Sequence, residues 1–288
     1  MTSIINAFTV DVEDYFHVSA FAERICPTTW GSFESRVVDN TRRILRLLDK
    51  HQTRATFFIL GWVAENYPQL VREIHRAGHE IGNHSYWHRL VYDLNPDEFC
   101  EDLLQANAVL EDTIGEPVTA FRAPSFSITE NSLWALDVLI EHGFRIDSSI
   151  FPIYHDRYGI PHAPRFPHVV RETNSNDRLW EFPPSVHRSW GLNLPVSGGG
   201  YFRLLPARIA RRLLSNVNAT TGQPFMFYIH PWELDPGQPR LPGSMRSRLR
   251  HYQNLRTTER KLDRLLECFR FGTASESLEH NQRATALA

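Results

Sequence analysis

Between residues 4 and about 146 the chain alternates, five times over, a short apolar run with a longer segment whose apolar residues recur every three or four positions. Runs of four to seven apolar residues suit strands covered on both faces, and the periodic segments between them suit the helices that do the covering. "IINAFTV" (4–10) precedes "FESRVVDNTRRILRLLDKH", where Val37, Val38, Thr41, Ile44, Leu45 and Leu48 fall at helical spacing. "ATFFILG" (55–61) precedes "PQLVREIHRAGH", a helix that starts near Pro68 and is closed by Gly78. "EIGNH" precedes a helix capped by Asn95, with Pro96 first and Glu98 third, that stops at Gly115. "VTAFRA" precedes "ENSLWALDVLIEH", capped by Thr129 and ended by Gly143, and "FRIDSS" follows. The pattern predicts an α/β chain of parallel strands with helices outside, as a (β/α) barrel or a doubly wound sheet.

After Ser149 the periodicity fades. "IFPIYHDRYGIPHAPRFPHVV" reads as a long ordered loop, "RLWEFPPS" and "FMFYIHP" as two further strands, and "SGGG" as a tight turn rather than a phosphate loop, since no Lys-Ser/Thr follows. "ARIARRLLSNVN" and "TTERKLDRLLECFRF" read as helices, and the last residues, 273–288, as a frayed tail. No internal repeat or linker divides the 288 residues. A formal charge of -2 with 22% charged residues gives no sign of a general affinity for nucleic acid or anionic lipid, and no apolar run approaches the ~20 residues of a membrane-spanning helix. The first residues carry three acids and no basic or apolar leader segment, and the cysteines, Cys26, Cys100 and Cys268, have no pairing or metal-site spacing. A reducing cytoplasm is the expected setting.

Acids, histidines and an arginine recur where the strands are expected to end. Asp11, Glu13 and Asp14 follow the first, His84 and His88 the third, Arg122 the fourth, Asp147 the fifth and His230 the last. In a barrel of parallel strands those ends converge on one face. His84 and His88, four apart, share one side of a helical turn, and with one carboxylate from the first strand they would complete the three-ligand set of a catalytic zinc-like site. As an isolated pair they are two ordinary polar residues. No glutamate stands between them, so a base must come from elsewhere; Asp11 and Glu13 share a strand face, leaving one carboxylate for metal and one for water. His230 is a candidate acid, and Arg122, after an apolar run, needs a carboxylate partner, for which Asp11 is placed. Tyr15, Phe16, Trp87, Phe126, Trp190, Tyr201 and Trp232 are either sugar-stacking platforms or core.

In this order the motifs resemble those of the NodB-type polysaccharide deacetylases, carbohydrate esterase family 4: "NHSYWH" its second motif, "FRAPSFS" its third, "IDSS" its fourth and "FYIHPWE" its fifth. The likeness covers residues 5 to 233 and implies a distorted (β/α) barrel of about seven parallel strands that removes acetyl groups from N-acetylated sugars with one divalent metal ion, zinc or, in its place, cobalt or nickel. It implies Asp11 as general base, Arg122 orienting it, His84 and His88 as metal ligands, His230 as general acid and Asp147 tuning His230. The first motif departs, because the family has two adjacent aspartates and this chain reads "TVDVED", leaving the carboxylate ligand as Glu13 or Asp14. "VDVEDYFHV", "FPIYHDRYGIPHAPRFPH" and "PWELDPGQPRLPG" further resemble a subgroup found with exopolysaccharide and exosortase (PEP-CTERM) gene clusters, which carries an extra C-terminal region, here 234–272. That implies exopolysaccharide synthesis, with an N-acetylated polysaccharide or a lipid-linked oligosaccharide as substrate; the oligomeric state stays open. The alternatives are an allantoinase-like hydrolase of a small amide and an inactive carbohydrate-binding module.

Overall fold

The computed structural model describes residues 4–286. Its first strand, β1 (Asn6–Val12), sets the inside and outside of the molecule. Phe8, Val10 and Val12 join the large core between sheet and helices, while Ala7 joins a separate cluster with Phe58, Ala120, Ile146 and Met226 from neighbouring strands. By the strand's two-residue period, Ala7, Thr9 and Asp11 therefore share the inner face.

The elements then follow the expected alternation. α1 (Val37–Lys50) and β2 (Thr56–Ile59) lead to a short α2 (Gly61–Asn66), α3 (Pro68–Arg76) and β3 (Glu80–Asn83). α4 (Pro96–Ile114), with the capping box of Asn95 and Glu98, leads to β4 (Ala120–Phe121), α5 (Ala135–Glu141) and β5 (Ile146–Asp147). Thr129 caps a 3-10 turn, Glu130–Ser132, rather than α5 itself. Beyond lie β6 (His168–Glu172), β7 (Arg178–Glu181), a hairpin of β8 (Val186–Ser189) and β9 (Leu192–Pro195), α6 (Gly199–Leu204), α7 (Ala207–Thr221) and β10 (Met226–Ile229). α8 (Met245–Tyr252), α9 (Leu255–Leu266), β11 (Phe271–Gly272) and α10 (Ala274–Ala286) complete the order.

The sheet runs β10-β1-β2-β3-β4-β5-β7-β6. Seven strands from β10 to β7 are parallel, β11 adds a parallel pair beside β1, and β6 alone is antiparallel, on β7. The result is a curled (β/α) half-barrel. At its seam Gly198 bridges to Tyr228 of β10. This approach requires glycine: at φ +154° a Cβ on Gly198 would stand 2.1 Å from the Tyr228 carbonyl oxygen. The glycines expected to form a tight turn thus open α6.

The residues after 266 correct the expected frayed tail. β11 pairs with Asn6 and Ala7, and α10 buries Ala274 and Leu278 in the inner cluster. Ser277 donates to the Ile5 carbonyl (2.7 Å), and the Ala274 N–H donates to Thr56 (2.7 Å). The helix thereby covers the end of the half-barrel at which the strands begin. Its apolar stripe is only two small-to-medium residues, too thin to register as helical periodicity; residues 287–288 lie outside the described residues. Segment 234–272 likewise returns to the barrel, where Leu262, Leu265 and Leu266 enter the main core. Leu278→Ala should cost about 2–3 kcal/mol of stability by urea denaturation; an unchanged midpoint would contradict this role for α10.

Candidate active site

Register carries the chemistry to one end. Asn83, Phe121 and Asp147 lie in line on β3, β4 and β5, so His84 and Arg122, one residue beyond, emerge side by side at the carboxyl ends of their strands. Arg122 turns inward and is wholly buried, where an unpaired charge is prohibitive. Its guanidinium donates to Asp11 (2.6 Å) and Thr9 (2.8 Å) on β1, to the Ser148 hydroxyl (2.9 Å), and to Met226 of β10. The Phe58 ring lies 4.3 Å from the guanidinium carbon. Asp11 is therefore aimed and balanced by an arginine that never meets solvent.

His84 donates from Nδ1 to the Arg122 carbonyl (2.7 Å), which leaves Nε2 free to face the cavity as a lone-pair donor. Burial pushes its pKa down to about 4, so the ring is neutral. His88 arrives by a route the spacing did not foretell. Residues 84–90 are not helical, and positive φ at Ser85 (66°) and His88 (54°) folds the loop back on itself. The loop is clamped from beneath: Asp102 on α4 accepts from the Tyr86 and Trp87 amides (2.7 and 3.2 Å), Asn83 from Ser85 (2.7 Å), and Ser85 from His88 (3.0 Å).

Glu13 and Asp14 point in opposite directions. Glu13 lies 2.8 Å from His88 Nε2, and its ligand oxygen lies with one nitrogen each of His84 and His88 within 4.8 Å of one another. Trp232 donates its indole N–H to Glu13 Oε1 (3.1 Å). Buried Glu13 Oε2 is the oxygen that faces His88 Nε2, and no other side chain or amide reaches it among the described residues. Although burial opposes ionisation, His88, His230 and His84 hold this carboxyl well below the usual carboxylate range. Asp14 points the other way, accepting from Ser35 (2.8 Å), Arg36 (2.7 Å) and Val37 (3.1 Å), and thus caps the start of α1. Two imidazole nitrogens and a buried carboxylate oxygen turned toward them fit a borderline divalent cation such as zinc.

His230, just past β10, presents Nε2 to Asp11 (3.6 Å) and Glu13 (3.5 Å) while its Nδ1 donates to Glu233 (2.7 Å). Burial would lower its pKa, but Glu13, Glu233 and Asp11 together raise it to about 9. Glu233 is held in turn by the buried Arg203 of α6, whose remaining donors bind the carbonyls of Arg250, His251 and Gln253. The Trp232 indole stacks between His230 and His251, with centroids at 5.2 and 4.1 Å. Asp147 does not serve His230. It stands in register beside Glu181 on β7, within hydrogen-bond reach, and binds Ser149. Burial raises both carboxyls, and the Asp147 charge raises Glu181 further, so the pair holds a proton.

These groups open into a cavity of about 400 Å³. Phe126, Tyr201 and Trp232 line it, whereas Tyr15 and Phe16 are core, Trp87 leans on Trp30, and Trp190 projects into solvent. His155, Tyr158, Arg203 and His251 also line it, all from segments whose sequence has no strand-end signal. The site combines a fixed carboxylate, a hydrogen-bonded imidazole and a three-atom cation cradle, which is the equipment of hydrolysis.

Comparison with known proteins bears on two parts of the chain. Residues 23–145 match the family described as polysaccharide deacetylase, and residues 148–279 match a domain of unknown function. A peptidoglycan-N-acetylglucosamine deacetylase of Bacillus cereus is 38% identical over 98 residues, 34% of this chain and 36% of that one. The first four curated relatives are matched over only 29% to 42% of their own lengths. Among solved structures, a peptidoglycan N-acetylglucosamine deacetylase superposes with a TM-score of 0.53 at 20% identity, covering 96% of this chain and 88% of that one. An allantoinase superposes with a TM-score of 0.60 at 14% identity, over 95% and 88%. At such identities the likeness speaks for the fold alone.

The shared proton makes a checkable demand. The folded chain keeps a proton that the unfolded chain releases above a pH of about 4, so the pair's contribution to stability falls as pH rises toward neutrality. Urea denaturation at pH 5 and pH 7 should show Glu181→Gln gaining on the native chain at the higher pH. A difference independent of pH would exclude the shared proton.

Proposed function

We propose, from the premise that this chain belongs to the NodB-type polysaccharide deacetylases, carbohydrate esterase family 4, that it hydrolyses N-acetyl groups of an amino-sugar polysaccharide or of its lipid-linked precursor. The observation that carries this reading is the cradle of Glu13, His84 and His88 set between two supported acid-base groups, Asp11 with Arg122 and His230 with Glu233. Glu13, His84 and His88 would hold a divalent metal, with zinc suited to two imidazoles and one carboxylate; when bound it polarises the acetyl carbonyl and acidifies water at neutral pH.

The remaining steps belong to the chain's own residues. Asp11, paired with and aimed by Arg122, takes the proton from water as its oxygen attacks the amide carbonyl. His230 Nε2, with its other nitrogen fixed on Glu233, gives a proton to the departing amine, and acetate and the free amino sugar are the products. Phe126, Tyr201 and Trp232 offer ring faces to the sugar. A role in exopolysaccharide synthesis and a cytoplasmic setting belong to the same reading, the latter supported by three free cysteines; no helix among the described residues is long and apolar enough to cross a membrane.

Zinc-reconstituted protein should release acetate from N-acetylglucosamine oligomers, with kcat lowered about 10²- to 10⁴-fold in Asp11→Asn and in His230→Ala. No release from any acetylated sugar despite bound zinc would sink the assignment. Titration against a competing chelator should show Glu13→Gln weakening zinc binding about 10- to 1000-fold. Asp14→Asn should leave zinc binding within a few-fold but cost about 1 kcal/mol of stability through the α1 cap. Because Glu233 helps raise the His230 pKa, Glu233→Gln should move the alkaline limb of the rate profile to lower pH; an unmoved limb separates His230 from the proton transfer.

A further inference from the structure

Charge and exposed apolar surface are distributed unevenly in a way that the reaction does not use. Residues 182–258 hold ten arginines, no lysine and only two acids, Glu233 and Asp235, a balance of +8 in a chain whose total is -2. Both acids are buried and already engaged, Glu233 with Arg203 and Asp235 with Arg36. The same stretch carries most of the large apolar side chains left in solvent. Trp190, at the tip of the β8-β9 hairpin, is 99% exposed, with Leu192 and Leu194 beside it. On α8, Met245 (88% exposed) and Leu249 (68%) lie one helical turn apart, so they share a face. Arg246 and Arg250 border that face on one side and Arg248 on the other, and α8 has no acidic residue.

The two elements meet at one loop. Asn193 of β9 donates to the carbonyls of Pro152 (2.7 Å) and Pro161 (3.4 Å), while Arg246 of α8 pairs with Asp156 (3.6 Å). Between these contacts lies Tyr154, 91% exposed. The loop also supplies His155, Arg157 and Tyr158 to the cavity, to which α8 adds Ser247 and Arg250. Exposed aromatic and aliphatic tips on the hairpin, the loop and α8 therefore stand, among arginines, on elements that meet the loop lining one side of the cavity, and among the described residues neither Arg157 nor Arg250 forms an ion pair.

We infer that these elements form a docking surface for an anionic lipid bilayer. Trp190, Leu192, Met245 and Leu249 enter the interface between headgroups and acyl chains, Arg246, Arg248 and Arg250 bind the headgroups, and the cavity mouth is held against the membrane. A second copy of the chain is a poorer occupant, since a two-fold contact through this face would set arginines against arginines. The inference stands apart from the reaction assigned above.

Flotation with vesicles of phosphatidylcholine alone, and with 30% phosphatidylglycerol, at 0.1 M salt tests it on the full chain. The protein should float with the anionic vesicles only. Trp190→Ser, or Met245→Ser with Leu249→Ser, should weaken partitioning about 10-fold. Arg246→Gln, Arg248→Gln and Arg250→Gln together should weaken it about 100-fold. All these positions are exposed, so thermal melts should be unchanged. Bromine-labelled acyl chains should quench tryptophan fluorescence in the native chain and not in Trp190→Ser. Failure to float with anionic vesicles, or partitioning indifferent to the substitutions, overturns the inference. So does a dimer in sedimentation equilibrium that the same substitutions dissociate.

Discussion

A guanidinium with no exposure sits inside a curled parallel sheet, and the site is arranged around the need to neutralise it. Arg122 spends its donors on β1, on the residue after β5 and on β10, so one cation ties together strands distributed over the whole sheet. Among the described residues, its one ion-pair partner is Asp11. Removing either partner leaves the other as an uncompensated buried charge, a change of about 3–5 kcal/mol. The ion pair that aims the proposed base is thus also a condition for the barrel interior, and the proposed chemistry and stability share it.

The second half of the chain contributes as much to the site as the first. Trp232 orients Glu13 by its indole N–H and is itself sandwiched by His230 and by His251 from α8. Arg203 fixes Glu233, which fixes His230, and the same guanidinium holds the last turn of α8 by three carbonyls. Residues 23–145 and 148–279, which match two separately described families, therefore build one sheet and one cavity. The region after His230 supplies a wall of the cavity through Ser247, Arg250, His251 and Gln253.

Much of this was legible in the sequence where a local rule dominates. Strand alternation set Asp11 on the inner face, the capping box placed α4, and strand ends pointed to His84, Arg122 and His230. What stayed hidden depends on longer-range geometry. The four-residue spacing of His84 and His88 suggested a helical turn, yet the pair meets through a loop of positive φ held by Asp102, a residue 14 positions on with no motif around it. Asp14 has the family's residue type, but the amides at the start of α1, more than 20 residues away, compete for it. Asp147 is claimed by Glu181, a neighbour only after β7 joins β5. β6, β8 and β9 went unread because half-exposed edge strands among prolines and histidines lack a continuous apolar run.

The pairing of β1 has a consequence for how the chain reaches this state. Its neighbours are β2, β10 and β11, and Asn6 bonds to Arg270 across a separation of 264 residues. Closing a loop of that length costs entropy before any contact repays it, and folding slows as contacts become more distant in sequence. On a ribosome, the strand that carries Asp11 emerges well before β10 and β11 and must wait for them before its outer edge and its inner floor are covered. Until then Asp11 and Arg122 have no finished interior in which to pair, so a chain stalled before β10 exposes an unpaired strand edge, an invitation to aggregation. Speed of synthesis through residues 225–280 should therefore weigh on yield more than any single contact in the cavity.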